Sequence, residues 1–213
     1  MNLIRRIWNW CRRFRYRCGY GVHSPSDFFL ITSVVYEKLP YYAYRELENH
    51  ASVGSSSFYR GKVNRLLFRL VNYFRPSFLI EVGRGDGTAF CYIQAARTSM
   101  KALSVEGRTS EETLLHLEKA MKGKKSVDLL HVADTPYYAE AVEKMLPCLT
   151  DGSCMIVGGI YASKAKQEWW KGLLEDERVR ITFDLYDIGI VLFDSKRHKQ
   201  NYIVNPPEKF NFG

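Results

Sequence analysis

A doubly wound parallel α/β sheet, closed by an antiparallel hairpin and preceded by a helical extension, is the fold that this sequence predicts. Three observations carry that expectation. From Ser77 onward short apolar runs alternate with amphipathic stretches, the last two runs are joined directly by a turn, and residues 1–56 read as helices. Continuous apolar strands linked by helical crossovers require a sheet covered on both faces. With 213 residues, 46% hydrophobic and 25% charged, the chain can bury one core and carry an extension, which excludes a disordered tail.

In chain order, Leu3, Ile4, Ile7, Trp8, Cys11 and Phe14 recur at three- and four-residue steps with arginines between them. This predicts a basic amphipathic helix over 2–16. Of the net charge of +8, six units come from Arg5, Arg6, Arg12, Arg13, Arg15 and Arg17, and no acid precedes Asp27. Interleaved with Trp8, Trp10, Phe14, Tyr16 and Tyr20, these arginines suit an anionic surface, either membrane or RNA. The apolar stripe is expected to pack on the domain or on a second copy of the chain, giving a homo-oligomer. His23 reads as a turn residue. Ser24 and Pro25 are an N-cap and a first-turn proline, opening a second helix that runs through Phe28, Ile31, Val35 and Leu39 to Pro40. Residues 51–57, ASVGSSS, have a flexible composition and separate a helical extension, 1–56, from an α/β domain, 57–213.

Val63, Leu66, Leu67, Leu70, Val71 and Phe74 predict a helix that stops before Pro76. The strands are then expected at 78–82, 102–105, 127–132 and 154–157. Helices fall between them, marked by Leu114, Leu117 and Met121, by Ala139 to Leu149, and by Ala165, Trp169 and Leu173. The final hairpin is VRITFDLY and IVLFD, turning at Asp187-Ile188-Gly189. Cys11, Cys18, Cys91, Cys148 and Cys154 form no CxxC pair, which reads as a reducing compartment. With no apolar run of signal-peptide or membrane-span length, the expected location is cytoplasmic.

The first strand runs into Glu81-Val82-Gly83-Arg84-Gly85-Asp86-Gly87-Thr88 and then a helix. Glycines there permit a sharp turn and a close backbone approach to a ligand. The helix start offers N–H groups to an anion. After the second strand comes Glu106, placed to accept the two hydroxyls of a ribose. The spacing GxGxG, with Thr88 following, differs from the GxGxxG of dinucleotide sites. Together these features favour an adenosine-containing ligand other than NAD.

These residues, with the VDLLHVAD strand, the IVGGIYASKAKQEWW segment and the closing hairpin, resemble the class I S-adenosylmethionine-dependent methyltransferases, most closely their O-methyltransferase-like branch. The resemblance covers roughly 60–200. It implies a Rossmann-like sheet, S-adenosylmethionine as cofactor, and a cofactor site of Glu81, Gly83, Gly85, Gly87 and Glu106, with Glu106 on the ribose. The chain also departs from the family pattern. Where relatives carry metal-binding acids at strand ends, it has Ala133, Gly158 and Gly159, so no metal site is expected. Residues 107–126 hold one helix and no further strand, so the usual third strand is expected to be missing.

Among candidate general bases Asp134 leads, at the end of a strand, although it could equally cap a helix opening at Pro136. His131, inside an apolar run, reads first as a hydrogen-bonded core histidine. Tyr161 reads as packing. The expected function is methyl transfer to an unidentified small acceptor without a metal, with activity slow or lost because the metal ligands and the third strand are missing. The alternative, from a different class, is a non-catalytic methyltransferase-fold protein that scaffolds through its basic N-terminal helix.

Overall fold

Helix α1 is shorter than its spacing predicts, and the C-terminal part of its expected apolar stripe stays exposed. In the computed structural model, which describes residues 3–51 and 61–206, α1 spans Leu3–Arg12 and is followed by one 3-10 turn, Phe14–Tyr16. Trp8, Cys11 and Phe14 of the expected apolar stripe are exposed, whereas Trp10 is half-buried and Arg13 is buried. The helix stops where Arg13 turns inward to an ion pair with Asp184, Nη2 to Oδ2 at 2.5 Å. The expected separator beyond Ala51, and with it the 56/57 boundary, lies outside the described residues.

Ser24 caps α2 (Pro25–Phe29) by accepting the Asp27 N–H, as its sequence position predicts. The helix continues as wider π-type turns over Leu30–Val35, closed by the Tyr36 N–H on the Ile31 carbonyl at 3.0 Å. A helix with no sequence expectation of its own, α3 (Tyr42–Ala51), follows, and then α4 (Gly61–Phe74). Leu30, Ile31, Val34 and Val35 bury themselves in one core with Leu67 and Leu70 of α4.

The sheet has seven strands: β1 (Phe78–Arg84), β2 (Lys101–Val105), β3 (Leu129–Asp134), β4 (Cys154–Gly158), β5 (Ile181–Asp184), β6 (Ile188–Leu192) and β7 (Gln200–Ile203). Their order is β2-β1-β3-β4-β6-β5-β7. β1 to β4 are mutually parallel, and β6 runs antiparallel to both β4 and β5. Alternation divides the core. Leu79, Leu129 and Ile156 face α4 and α5 (Thr88–Ala96), while Ile80, Leu130 and Met155 face α6 (Ser110–Ala120), α7 (Tyr138–Met145) and α8 (Lys164–Glu175).

Among the described residues no strand pairs with the outer edge of β2, in line with the single helix expected between Glu106 and Val127. β7 is an addition. Its sequence, QNYI, has too few apolar residues to announce a strand, and it is held parallel to β5 with Thr182 Oγ1 donating to Asn201 Oδ1 at 2.8 Å.

Two turn assignments need correction. The hairpin turns at 185–187, with Tyr186 at φ 70°, and Gly189 lies inside β6. A side chain at Gly189 would meet the Trp170 ring at 2.4 Å, so close helix packing requires this glycine. Likewise α7 opens at Tyr138 and not at Pro136, because the Tyr137 N–H is taken by Thr135 Oγ1 at 3.2 Å. Among the described residues no helix is long and apolar enough to cross a membrane.

Candidate functional site

The expected glycine loop connects β1 to α5. Gly83, Gly85 and Gly87 take φ of 80°, 55° and 76°, the left-handed region that side-chain-bearing residues avoid. Gly83 and Gly87 are buried and Gly85 is exposed, so the loop surfaces at its middle. Asp86 folds onto the start of α5. It accepts the Thr88 N–H at 3.1 Å and the Thr88 hydroxyl at 2.7 Å, so this first helical donor is already satisfied within the chain. Glu106 follows β2 directly and is exposed. Its backbone carbonyl is bonded to His116 Nδ1 at 2.7 Å, and its carboxylate has no partner among the described residues. A cavity of about 540 Å³ runs beside it along β2, lined by Ser104, His116 and Lys119 among others.

Glu81 sits beneath this surface. It is fully buried, paired in register with His131 on β3, and its Oε2 is 2.7 Å from His131 Nδ1. His131 is therefore the hydrogen-bonded core histidine that its apolar surroundings predict. β3 persists through Asp134, whose Cα is in register with Arg84.

Tyr161 belongs to a second cluster at the same end of the sheet. Its hydroxyl donates to Asp184 Oδ2 at 2.6 Å, and its ring stacks on Tyr186 with centroids 5.1 Å apart. The Arg13 guanidinium lies 5.6 Å from each ring. Asp184 Oδ1 accepts the Tyr186 N–H at 2.9 Å, which holds the left-handed turn residue in place. Burial, and then the adjacent Asp184 carboxylate, push the Tyr161 hydroxyl far above the ordinary tyrosine range. It keeps its proton and serves as a hydrogen-bond donor, not as a base. Of this cluster the sequence singled out only Tyr161; Asp184, an acid between apolar residues of the closing hairpin, is the signal that could have found the rest. Nothing in the spacing of Arg13 marks it as its partner.

A larger cavity of about 680 Å³ lies beside that cluster, lined by Trp10 and Arg17 of the extension, Lys62 and Arg65 of α4, and Asp187 of the hairpin turn. The Asp187 carbonyl accepts the Gly159 N–H at 2.7 Å, which places this cavity at the carboxyl end of β4. The glycine loop ends β1, two strands away, about 10 Å at ordinary strand spacing.

No protein-family model matches the sequence, and no curated protein matches it. Solved structures do match. The SAH-bound methyltransferase PaMTH1 of Podospora anserina aligns over 80% of this chain and 97% of its own, with 13% identity and a TM-score of 0.54. The O-methyltransferase TomG of Streptomyces achromogenes, solved with SAM, aligns over 76% of this chain and 93% of its own, with 12% identity and a TM-score of 0.51. The fold is that of the class I methyltransferases.

Within that fold the ends of β3 and β4 carry Ala133, Gly158 and Gly159. Among the described residues no group of three or more His, Cys, Asp or Glu side chains is arranged to hold a metal ion. All five cysteines are free.

Proposed function

We propose that the chain binds S-adenosylmethionine at the β1–α5 loop and directs its methyl group to a small acceptor without a metal ion. The observation that carries this reading is local: three glycines in the left-handed region end the first strand, and an exposed carboxylate without a partner among the described residues follows the next. Gly85, the exposed glycine, leaves backbone without a side chain open to close approach at the middle of the loop, and the Glu106 carboxylate, without a partner among the described residues, can accept two ribose hydroxyls. Glu81 supports the site from below through His131, since its own carboxylate is turned into the core.

When bound, the cofactor would supply an electrophilic methyl group on a sulfonium centre, and the acceptor that takes it would have to give up a proton. The protein's part is to hold the acceptor in line and to receive that proton. Asp134, at the end of β3, is the carboxylate offered for the latter, a role worth about 10² to 10⁴-fold. Isothermal titration with S-adenosylhomocysteine tests binding, and a one-site isotherm is expected. Transfer of labelled methyl groups to a mixed pool of small acceptors, with EDTA and with Mg²⁺, tests the rest. Turnover indifferent to EDTA is expected, and turnover that EDTA abolishes would overturn the metal-free reading.

The second reading, a non-catalytic scaffold, is favoured by the outer edge of β2 beside Glu106, with which no strand pairs among the described residues. Absence of any heat with S-adenosylhomocysteine would favour it.

A further inference from the structure

The 680 Å³ cavity between the extension and the hairpin turn has the size of a small-ligand site and walls of two kinds. Trp10, Leu39, Leu66, Leu185, Ile188 and Pro206 form an apolar lining. The same space is lined by five cations, Arg17, Lys38, Lys62, Arg65 and Arg69, against two carboxylates, Glu37 and Asp187. Most of these charges are already matched. Lys62 Nζ lies 3.5 Å from Asp187, Arg65 is held by Glu48, and Arg69 lies 4.0 Å from Glu37 while donating to the Val34 carbonyl at 2.7 Å.

Arg17 and Lys38 remain. Neither has a carboxylate partner among the described residues. The Arg17 guanidinium is stacked 5.5 Å from the Trp10 ring and 5.1 Å from the Phe14 ring, and its Nε–H is buried with no hydrogen-bond partner among the described residues. A cation partly withdrawn from water and lacking a counter-charge attracts an anion more strongly than one on an open surface.

We infer that this cavity binds an amphipathic anion: an apolar body of one or two rings carrying a carboxylate, sulfate or phosphate. The charge is met by Arg17 and Lys38, and the body lies against Trp10 and Leu39. The binding assignment stands on the cavity alone; naming its ligand as the class of methyl acceptor rests on the methyltransferase reading. On that reading the extension is part of the substrate site, because it contributes both Trp10 and Arg17.

The test uses the full chain and two probes of the same shape, 8-anilinonaphthalene-1-sulfonate and the uncharged N-phenyl-1-naphthylamine, followed by fluorescence. The sulfonate is expected to bind as one equivalent and about tenfold tighter than the neutral probe, the size of one charge-assisted contact. Arg17→Gln and Lys38→Gln should each remove most of that preference and leave the neutral probe's affinity unchanged. Lys125→Gln, exposed and away from the cavity, should change neither. Equal affinities for the two probes would overturn the assignment, as would a preference that survives both substitutions. Lys38 is exposed, so its variant stays informative even where Arg17→Gln fails to fold. Titration of the wild type with S-adenosylhomocysteine runs in parallel. Sulfonate binding without S-adenosylhomocysteine binding leaves the anion site standing and removes only its reading as an acceptor site.

Discussion

The glycine loop and the cavity under the extension lie at the same end of one sheet, yet they are built in opposite ways. The loop's geometry is contained in the eight residues 81–88 and resides in backbone angles, with φ of 80°, 55° and 76° at its three glycines. The cavity takes its walls from the N-terminal segment, α3, α4, the β5–β6 turn and the tail at Pro206, and it depends on how those segments are docked. A backbone site should therefore tolerate loosening elsewhere, and a docked site should not.

The largest expected effect breaks the docked side alone. Asp184 joins Arg13, Tyr161 and the Tyr186 N–H in a cluster that is mostly buried. Asp184→Ala leaves a buried arginine without its counter-charge and should destabilise the protein by about 3 to 5 kcal/mol. Chemical denaturation measures the loss, and limited proteolysis should show cleavage between residues 10 and 20 before the body of the sheet opens. Uniform opening instead would mean that the extension and sheet unfold as one unit.

The next effect is on the loop side. Glu106→Ala should weaken S-adenosylhomocysteine binding by about 1 to 3 kcal/mol, the range for hydrogen-bonding groups left unpaired. The affinity of the cavity for the sulfonate probe should stay as it was. An unchanged cofactor affinity by calorimetry would remove the ribose assignment.

Gly87→Val tests whether the loop is a matter of backbone. Forcing a β-branched residue to φ near 76° should cost about 1 to 2 kcal/mol of stability and lose cofactor binding together with it. A stable variant that binds normally would show that the turn has another accessible geometry.

The smallest effect lies outside both regions. The Asp176 carboxyl is held below the usual range, first by its hydrogen bond from Arg178. Because its folded value is depressed, its contribution is present above the ordinary carboxylate value of about 3.9 and is lost as pH falls through the lower folded one. The pair is half-exposed, so less than about 1 kcal/mol is expected. Melting curves of Asp176→Asn and wild type should converge in that acid window and differ slightly at neutral pH.

The sheet was largely legible in the sequence, because buried parallel strands must be nearly continuous in apolar residues. The glycine loop was legible because left-handed backbone demands glycine. Other elements were not. α3 has Leu47 as its only large aliphatic residue, and β7 is a short polar edge whose pairing comes from its neighbour. Gly189 resembled a turn glycine, since both roles call for the absence of a side chain, and only Trp170 standing over it separates them. On α1 the regular stripe of Leu3, Ile7, Cys11 and Phe14 pointed to packing by that face. Trp8, Cys11 and Phe14 of that stripe stay exposed, while Arg13, just beyond the helix, is buried against Asp184.

What the sequence determined by itself about this protein is therefore whatever depends on neighbours in the chain: strand and helix periodicity, the Ser24 cap, the glycine turn, and the acid that follows the next strand. Tertiary structure alone decided that Arg13 goes inside, where Glu81 and His131 meet, and that Trp10 and Arg17 line a cavity with residues of α4 and the hairpin. Those outcomes depend on contacts between segments far apart in the chain; Arg13 and Asp184, for example, are 171 positions apart. No local spacing records such a contact, because the energy that selects it exists only once the two segments have been brought together.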